Sequence, residues 1–405
     1  MAERPPTVAW ISYFPIEWLP ELPEPLRSLP KTHPATWQRV LIDELKGHTD
    51  LKIHVIVVRR QFPKNLTFDW AGVTFHCLKL PRGMRTLSLF WWETMLIRRC
   101  LKQIRPDMVH AWGSERAASL VASRLGYPYL VTMQGLLEWY AQQVKLDYYT
   151  RLEAKLERIS LRRASVVTTE SRFAVDWLKE HYPHLEIFQA EHAPNWLFHK
   201  LPRQPAPGPI QFLFVGAPSY IKGTDLLLLG LDRLKDELDF RLTIIGTPIP
   251  TGFPLQQIRE RTASLWNRVN LRQGLTQAQV GEEMSRATMV LFPTRADTSP
   301  NSIKESVVAG LPVAASAVGG IVDYVLPGRN GITFSPNNLE AFVDAIRTAV
   351  AHPVLGKGQV DPQALAQMRE YLSPRTMAAR FRSAYRRVLE KAGSKTRLPL
   401  DVPPL

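Results

Sequence analysis

Short apolar runs alternate with amphipathic stretches along this chain, and the series runs twice. Such alternation is the pattern of repeated strand–helix units on parallel sheets. The first series predicts strands at Val8–Ser12, Lys52–Val58, Val73–Leu78, Met108–Ala111, Tyr129–Met133, Ser165–Thr169 and Ile187–Ala190. Amphipathic helices fill the gaps, among them Leu89–Ile104, Glu115–Leu125 and Thr150–Arg163. Four prolines and a glycine within 201–209 then read as a stiff linker. The second series predicts strands at Ile210–Val215, Arg241–Ile245, Val269–Arg272, Met289–Phe292, Val313–Ala315 and Ile332–Phe334. The fold class is therefore α/β, with one domain over 1–200, a linker over 201–209 and a second domain over 210–373. A basic helix and tail, 374–405, has apolar positions at Met377, Phe381, Tyr385 and Val388, which suit docking as a closing helix. Two α/β domains of this kind leave a cleft between their strand C-terminal ends, where open parallel sheets take ligands.

The most chemical stretch begins as the strand Met289–Phe292 ends. A polar loop carries Asp297, a Ser cap opens a helix over Ser302–Ala309, and Glu305 sits one turn inside it. Both carboxylates thus lie beside the free N–H groups of a helix start, which favour anions such as a diphosphate. A carboxylate among those amides can accept from sugar hydroxyls while the amides hold phosphate oxygens. Upstream, Gly216 ends a strand, and Lys222-Gly223-Thr224 opens a helix with one cation, a second arrangement suited to phosphate. Gly319-Gly320 permits either a close backbone approach to a ligand or a tight turn. Arg272 to Leu275 leaves another strand, where backbone could face a flat base. His110 and Gln134 stand at strand ends of the first half and could face the cleft, although a lone histidine at a strand end is more often structural.

The net charge of +14 is spread over both halves and favours anionic partners: nucleotide phosphates, acidic lipids or nucleic acid. No nucleic-acid-binding module is present, which disfavours the last. From Arg82 to Lys102, aromatics mix with cations, as suits an anionic membrane surface or a core beneath a solvated basic face. Two cysteines, Cys77 and Cys100, allow no disulfide framework, and no secretory leader or membrane-spanning run is legible, so a cytoplasmic protein, peripheral to a membrane, is expected.

Taken in order, Gly216…Lys222-Gly223, Asp297…Glu305, Ala309-Gly310-Leu311-Pro312-Val313, Gly319-Gly320 and Gly328-Arg329-Asn330-Gly331 resemble a retaining glycosyltransferase of the family-four type. The resemblance is carried by residues 210 to 390 and, in the first half, by layout alone with positions 110 and 134. It implies the GT-B fold: two Rossmann-like domains facing across a cleft, with the C-terminal helix crossing back to the first. It also implies a nucleotide diphosphate-sugar as co-substrate, with no cofactor, and a hydroxyl acceptor, for which a lipid-linked glycan fits the basic and aromatic first half; with no Asp-x-Asp motif in the sequence, no metal is expected. Lys222 is then expected to bind the diphosphate, and Asp297 to touch the transferred sugar where the family usually has a glutamate. Ser299, Pro300, Asn301 and Ser302 would offer loop groups and amides, Glu305 would hold ribose hydroxyls, and Arg272 to Leu275 would flank the base. His110 and Gln134 would be catalytic positions of the first domain.

Three positions depart from the family pattern. Ala217 stands five before the lysine, where an arginine is common; Arg295 or a first-domain arginine is the candidate replacement. Gln134 replaces a histidine, and His33-Pro34-Ala35-Thr36 replaces an N-terminal Gly-Gly loop. Two further readings stay open: a nucleotide-sugar epimerase on the same fold and, on the grounds of Ala217 and Gln134, a sugar-nucleotide-binding protein without turnover.

Overall fold

A computed structural model describes residues 4–31, 35–114, 117–143, 147–247 and 254–394, together with Thr396, Leu398 and Pro399. The positions His33 and Pro34 lie outside them. The chain forms two compact units. The first takes residues 1–170, 174–192 and 374–405, and the second takes 171–173 and 193–373.

The first unit holds an eight-stranded sheet. Its strands are β1 (Thr7–Ile11), β2 (Lys52–Arg59), β3 (Leu66–Trp70), β4 (Val73–Lys79), β5 (Met108–Trp112), β6 (Tyr129–Thr132), β7 (Val166–Thr169) and β8 (Glu186–Gln189). Their order is β3-β4-β2-β1-β5-β6-β7-β8, and every pair is parallel except β3 with β4. All five residues of β1 are buried. Covering a parallel sheet on both faces demands such unbroken apolar runs, which is why these strands read clearly in the sequence. The edge strand β3 went unread: it alternates half-buried and exposed positions. Its hairpin turns on Ala71-Gly72, both at positive φ, rather than on an Asn-Gly pair.

The second unit holds a six-stranded parallel sheet in the order β11-β10-β9-β12-β13-β14. These are β9 (Ile210–Val215), β10 (Phe240–Ile245), β11 (Val269–Arg272), β12 (Met289–Phe292), β13 (Val313–Ser316) and β14 (Gly331–Phe334). Apolar side chains pack on both faces of it, Phe212, Phe214 and Phe342 in one cluster, Phe292, Val307 and Tyr324 in the other. Strand order reverses between β9 and β12, which pair at Met289–Phe212 and Val290–Leu213. Ligands of open parallel sheets sit beyond the strand ends at such a reversal.

The proline-rich stretch over 201–209 is no free linker. Its residues belong to the second unit, and the boundary falls at 192/193. The N–H groups of Gln204 and Ala206 donate to the carbonyls of Ser285 and Arg286. Arg203 donates to the carbonyls of Met284, Ser285, Ala287 and Gly358. The prolines fix an extended path, and Arg203 fastens it along the end of the helix Gln277–Arg286.

The helix Pro374–Lys391 belongs to the first unit. Met377, Phe381, Tyr385 and Val388 are all buried. Arg382 makes a two-pronged bond to Asp50 at 3.0 and 2.7 Å, and Arg387 and Lys391 both reach Glu186. Tyr385 bonds through its hydroxyl to His110 Nδ1 at 2.8 Å. Removing that hydroxyl leaves a fully buried imidazole nitrogen without its partner. Tyr385→Phe is therefore expected to cost the first unit about 1–3 kcal/mol, read as a lowered urea midpoint; an unmoved midpoint would mean that the bond contributes nothing.

Candidate active site

The strand β9 ends at Val215, and Gly216 donates its N–H to Ile245 O. A tight loop follows, in which Ser219 N donates to Thr224 Oγ1 and Gly223 N to Tyr220 O. Gly223 then caps the helix Thr224–Leu234 at φ +67. A Cβ on Gly223 would lie 1.8 Å from Pro293 O, so only glycine lets this loop rest on the loop that follows β12. Gly319, at φ +55, approaches the same loop after β13: a Cβ there would lie 1.8 Å from Asp297 O. Gly320 N donates to Thr298 O. The paired glycines thus make a close approach to the acid-bearing loop itself.

Held between these loops, Asp297 is buried. Its Oδ2 takes Lys222 Nζ at 2.5 Å, and its Oδ1 accepts the N–H of Ser299 at 3.2 Å. Lys222 also stands 5.4 Å from the Phe292 ring centroid. Ser299 Oγ meets the hydroxyl of Tyr324 at 2.7 Å. Asn330, buried in the Gly328–Gly331 turn, donates to Tyr324 O and accepts from Leu326 N. Tyr324 and Phe292 were missed in the sequence because nothing local distinguishes them from core aromatics.

The next helix is Asn301–Ala309. No serine caps it: Pro300 holds the cap position, and the Ser299 hydroxyl is engaged with Tyr324. Ile303 and Lys304 donate to Pro300 O. The N–H groups of Asn301 and Ser302 make no hydrogen bond among the described residues, which leaves two donors at the positive end of the helix. Glu305 lies on the second turn. It is partly open to solvent, yet protein packs closely around the carboxyl, and this desolvation pushes its pKa up to about 8.

Arg295 does not replace the cation absent at Ala217. Both guanidinium arms bind the Asp225 carboxylate at 2.7 Å, and the group lies 3.8 Å over the Tyr220 ring. Arg272 ends the edge strand β11 and pairs with Glu283. Leu275 packs on the cluster that contains Phe292. Contacts therefore join Lys222, Gly223, Asp297, Ser299, Gly319 and Gly320 around the 293–300 loop, with Pro300, Asn301, Ser302 and Glu305 following along the chain and Gly216 at the end of β9, while Arg272 ends the edge strand and Leu275 comes three residues after it.

His110 and Gln134 belong to the first unit. His110 departs from its expected position facing an open cleft. It is wholly buried, with Nε2 2.6 Å from Thr132 Oγ1 and Nδ1 on Tyr385, and burial holds its pKa well below the usual range. A neutral ring with both nitrogens bonded serves the core. Gln134 is half-buried in the turn after β6.

A family described as "Glycosyl transferases group 1" matches residues 209–352, and "Glycosyltransferase Family 4" matches residues 38–187. The chain belongs to these glycosyltransferases, whose GT-B fold its two Rossmann-like units reproduce. Glycogen synthase of Mycobacterium tuberculosis is 25% identical over 162 residues, 40% of this chain and only 38% of that relative. Sucrose-phosphate synthase of Thermosynechococcus elongatus matches with a TM-score of 0.76 at 15% identity, covering 95% of this chain and 100% of that one. Anabaena Alr3699/HepE, solved with UDP-glucose, matches with a TM-score of 0.66 at 14% identity, covering 96% and 99%.

The glycine contacts give a direct test. Gly319→Ala is expected to cost the second unit about 1–3 kcal/mol beyond its backbone strain, because the loop bearing Asp297 must shift. Gly274, at φ +68 with nothing within 4 Å of a Cβ, is the control: Gly274→Ala carries only the backbone term, about 1 kcal/mol. Equal losses in thermal unfolding would rule out the clamp.

Proposed function

We propose that the protein transfers a sugar from a nucleoside diphosphate donor to a hydroxyl acceptor with retention at the anomeric carbon. The observation that carries this reading is the Lys222–Asp297 pair beside the open amides of Asn301 and Ser302, at the strand reversal of the second unit. The arrangement supplies what a departing diphosphate needs: one mobile point charge and preorganised N–H donors. Lys222 moves from Asp297 to the phosphates. Asp297, still oriented by Ser299 N–H, then accepts from hydroxyls of the sugar. Glu305 accepts from the ribose. With no protein nucleophile assigned, the acceptor hydroxyl attacks on the face that the diphosphate leaves, and the leaving phosphate oxygen takes its proton. No metal is assigned a part.

UDP-sugars are the first donors to try, since the Anabaena neighbour was solved with UDP-glucose. A glycan carried at the inner face of a membrane, as a precursor of surface polysaccharide or glycolipid, is the acceptor class that suits the basic, aromatic first unit. One observation favours a second reading, binding without turnover: Ala217 offers no cation and Arg295 is neutralised by Asp225. Incubation with UDP-, GDP- and ADP-sugars separates the two. Slow donor cleavage, lost in Glu305→Gln, supports the transferase; tight binding with no cleavage under any acceptor supports the second reading.

The ion pair predicts a coupling. Lys222→Ala removes a phosphate cation and also leaves Asp297 unpaired near the diphosphate, so donor affinity falls by more than the roughly 1.5–3 kcal/mol of one charge-assisted bond. Adding Asp297→Asn restores part of it, and a strictly additive double-mutant cycle in calorimetry would remove the pair from the site.

Glu305 predicts a pH dependence. Its folded pKa, about 8, lies above the usual value of 4.5, so the folded chain keeps a proton that the unfolded chain has lost. Stability therefore falls as pH rises between those values. Ribose hydroxyls favour the carboxylate, so the donor must expel that proton below pH 8. Donor affinity should rise up to about tenfold per pH unit from 6 to 8, then level off. A flat profile in the wild type, matching Glu305→Gln, would remove the ribose role.

A further inference from the structure

Five large apolar side chains lie in solvent within nine residues of the first unit: Leu87 is 84% exposed, Leu89 51%, Trp91 50%, Trp92 45% and Met95 44%. They are held in place. Phe90, buried and at φ +64, caps the helix Trp91–Ile104 and anchors the turn from below. Phe90 N donates to Arg85 O, Trp91 N to Ser88 O and Trp92 N to Ser88 Oγ. Arg124 donates to Leu89 O at 2.7 Å and lays its guanidinium 4.6 Å from the Trp91 ring. Arg98 in turn donates to Arg124 O. A fixed turn thus presents apolar side chains outward, which costs free energy unless something covers them.

The charge around this tip has one sign. Residues 82–105 carry six basic side chains and one acid, Glu93. That acid is buried and neutralised by Arg85 at 2.6 Å. Arg99 and Lys102 continue the exposed face of the helix behind Trp92 and Met95. Among the described residues, no helix is long and apolar enough to cross a membrane.

We propose that the tip Leu87–Met95 inserts shallowly into an anionic bilayer surface, with Arg98, Arg99, Lys102 and Arg124 resting on its headgroups. Paired tryptophans on an apolar tip, backed by cations, match the polarity gradient of a lipid interface. A second copy fits poorly, because pairing two such tips sets two basic faces together. The inference deepens the reading above, in which the acceptor is carried at a membrane, but its test does not use donor chemistry.

The experiment is co-sedimentation of the full chain with phosphatidylcholine vesicles, with and without phosphatidylglycerol. Binding is expected at low salt only with phosphatidylglycerol, and Trp91→Ser/Trp92→Ser should weaken it about tenfold or more. Arg99→Ala/Lys102→Ala should weaken it about fivefold per charge and flatten its salt dependence. Both variants should keep the wild-type melting temperature and donor affinity. The proposal fails if the wild type ignores both vesicles, binds both equally, or binds undiminished without the tryptophans. A dimer that the tryptophan variant abolishes, with no vesicle binding, would assign the surface to a second copy. Loss of donor cleavage alone would touch only the catalytic reading.

Discussion

The second unit depends on a backbone contact that side chains cannot make. The loop from Pro293 to Pro300 lies between two glycine-bearing turns, with Gly223 against Pro293 O and Gly319 against Asp297 O. Polar groups on this loop are nevertheless buried, Thr294, Asp297, Thr298 and Ser299 among them. Burial is tolerable because each finds a partner: Thr294 donates to Ile221 O, Gly320 N to Thr298 O, and Asp297 takes Lys222. The glycines therefore set where the carboxylate of Asp297 stands, and any chemistry at this site inherits that placement.

Charges at the candidate site are balanced in pairs. Lys222 is matched by Asp297 and Arg295 by Asp225. The pairs differ in what they can release. The Arg295 fork is two-pronged, stacked on Tyr220 and bonded to Asn337, so moving it breaks several contacts at once. Lys222 reaches Asp297 through a flexible stem, with the Phe292 ring beside its ammonium, and so has fewer contacts to break.

The sequence made the buried parallel strands legible, since double-sided burial leaves no choice but continuous apolar runs. It also put Lys222, Gly223 and Asp297 in loops after strand ends and Glu305 in a helix, which is where the structure has them. What escaped depends on contacts distant in sequence. The hydrogen bond between His110 and Tyr385 spans 275 positions, and no local pattern shows that it fills both nitrogens. The stretch over 201–209 has linker composition, and only the carbonyls at 284–287 and 358 reveal that Arg203 ties it down. The helix start at Asn301 offers serines as caps, while Tyr324, far along the chain, claims the hydroxyl of Ser299.

That same long-range contact constrains how the molecule assembles. The first unit contains a helix from the far end of the chain, so the second unit is inserted within it. Closing a flexible span of 275 residues between His110 and Tyr385 costs about 5 kcal/mol by chain-length scaling alone. Folding the second unit beforehand shortens the flexible part and lowers that cost. That closure cost is smallest when Pro374–Lys391 docks after the second unit has formed. Arg382 then meets Asp50, and the first unit completes its core. A cut at 192/193 would not separate two self-sufficient domains, because it leaves the first without Phe381, Arg382 and Tyr385.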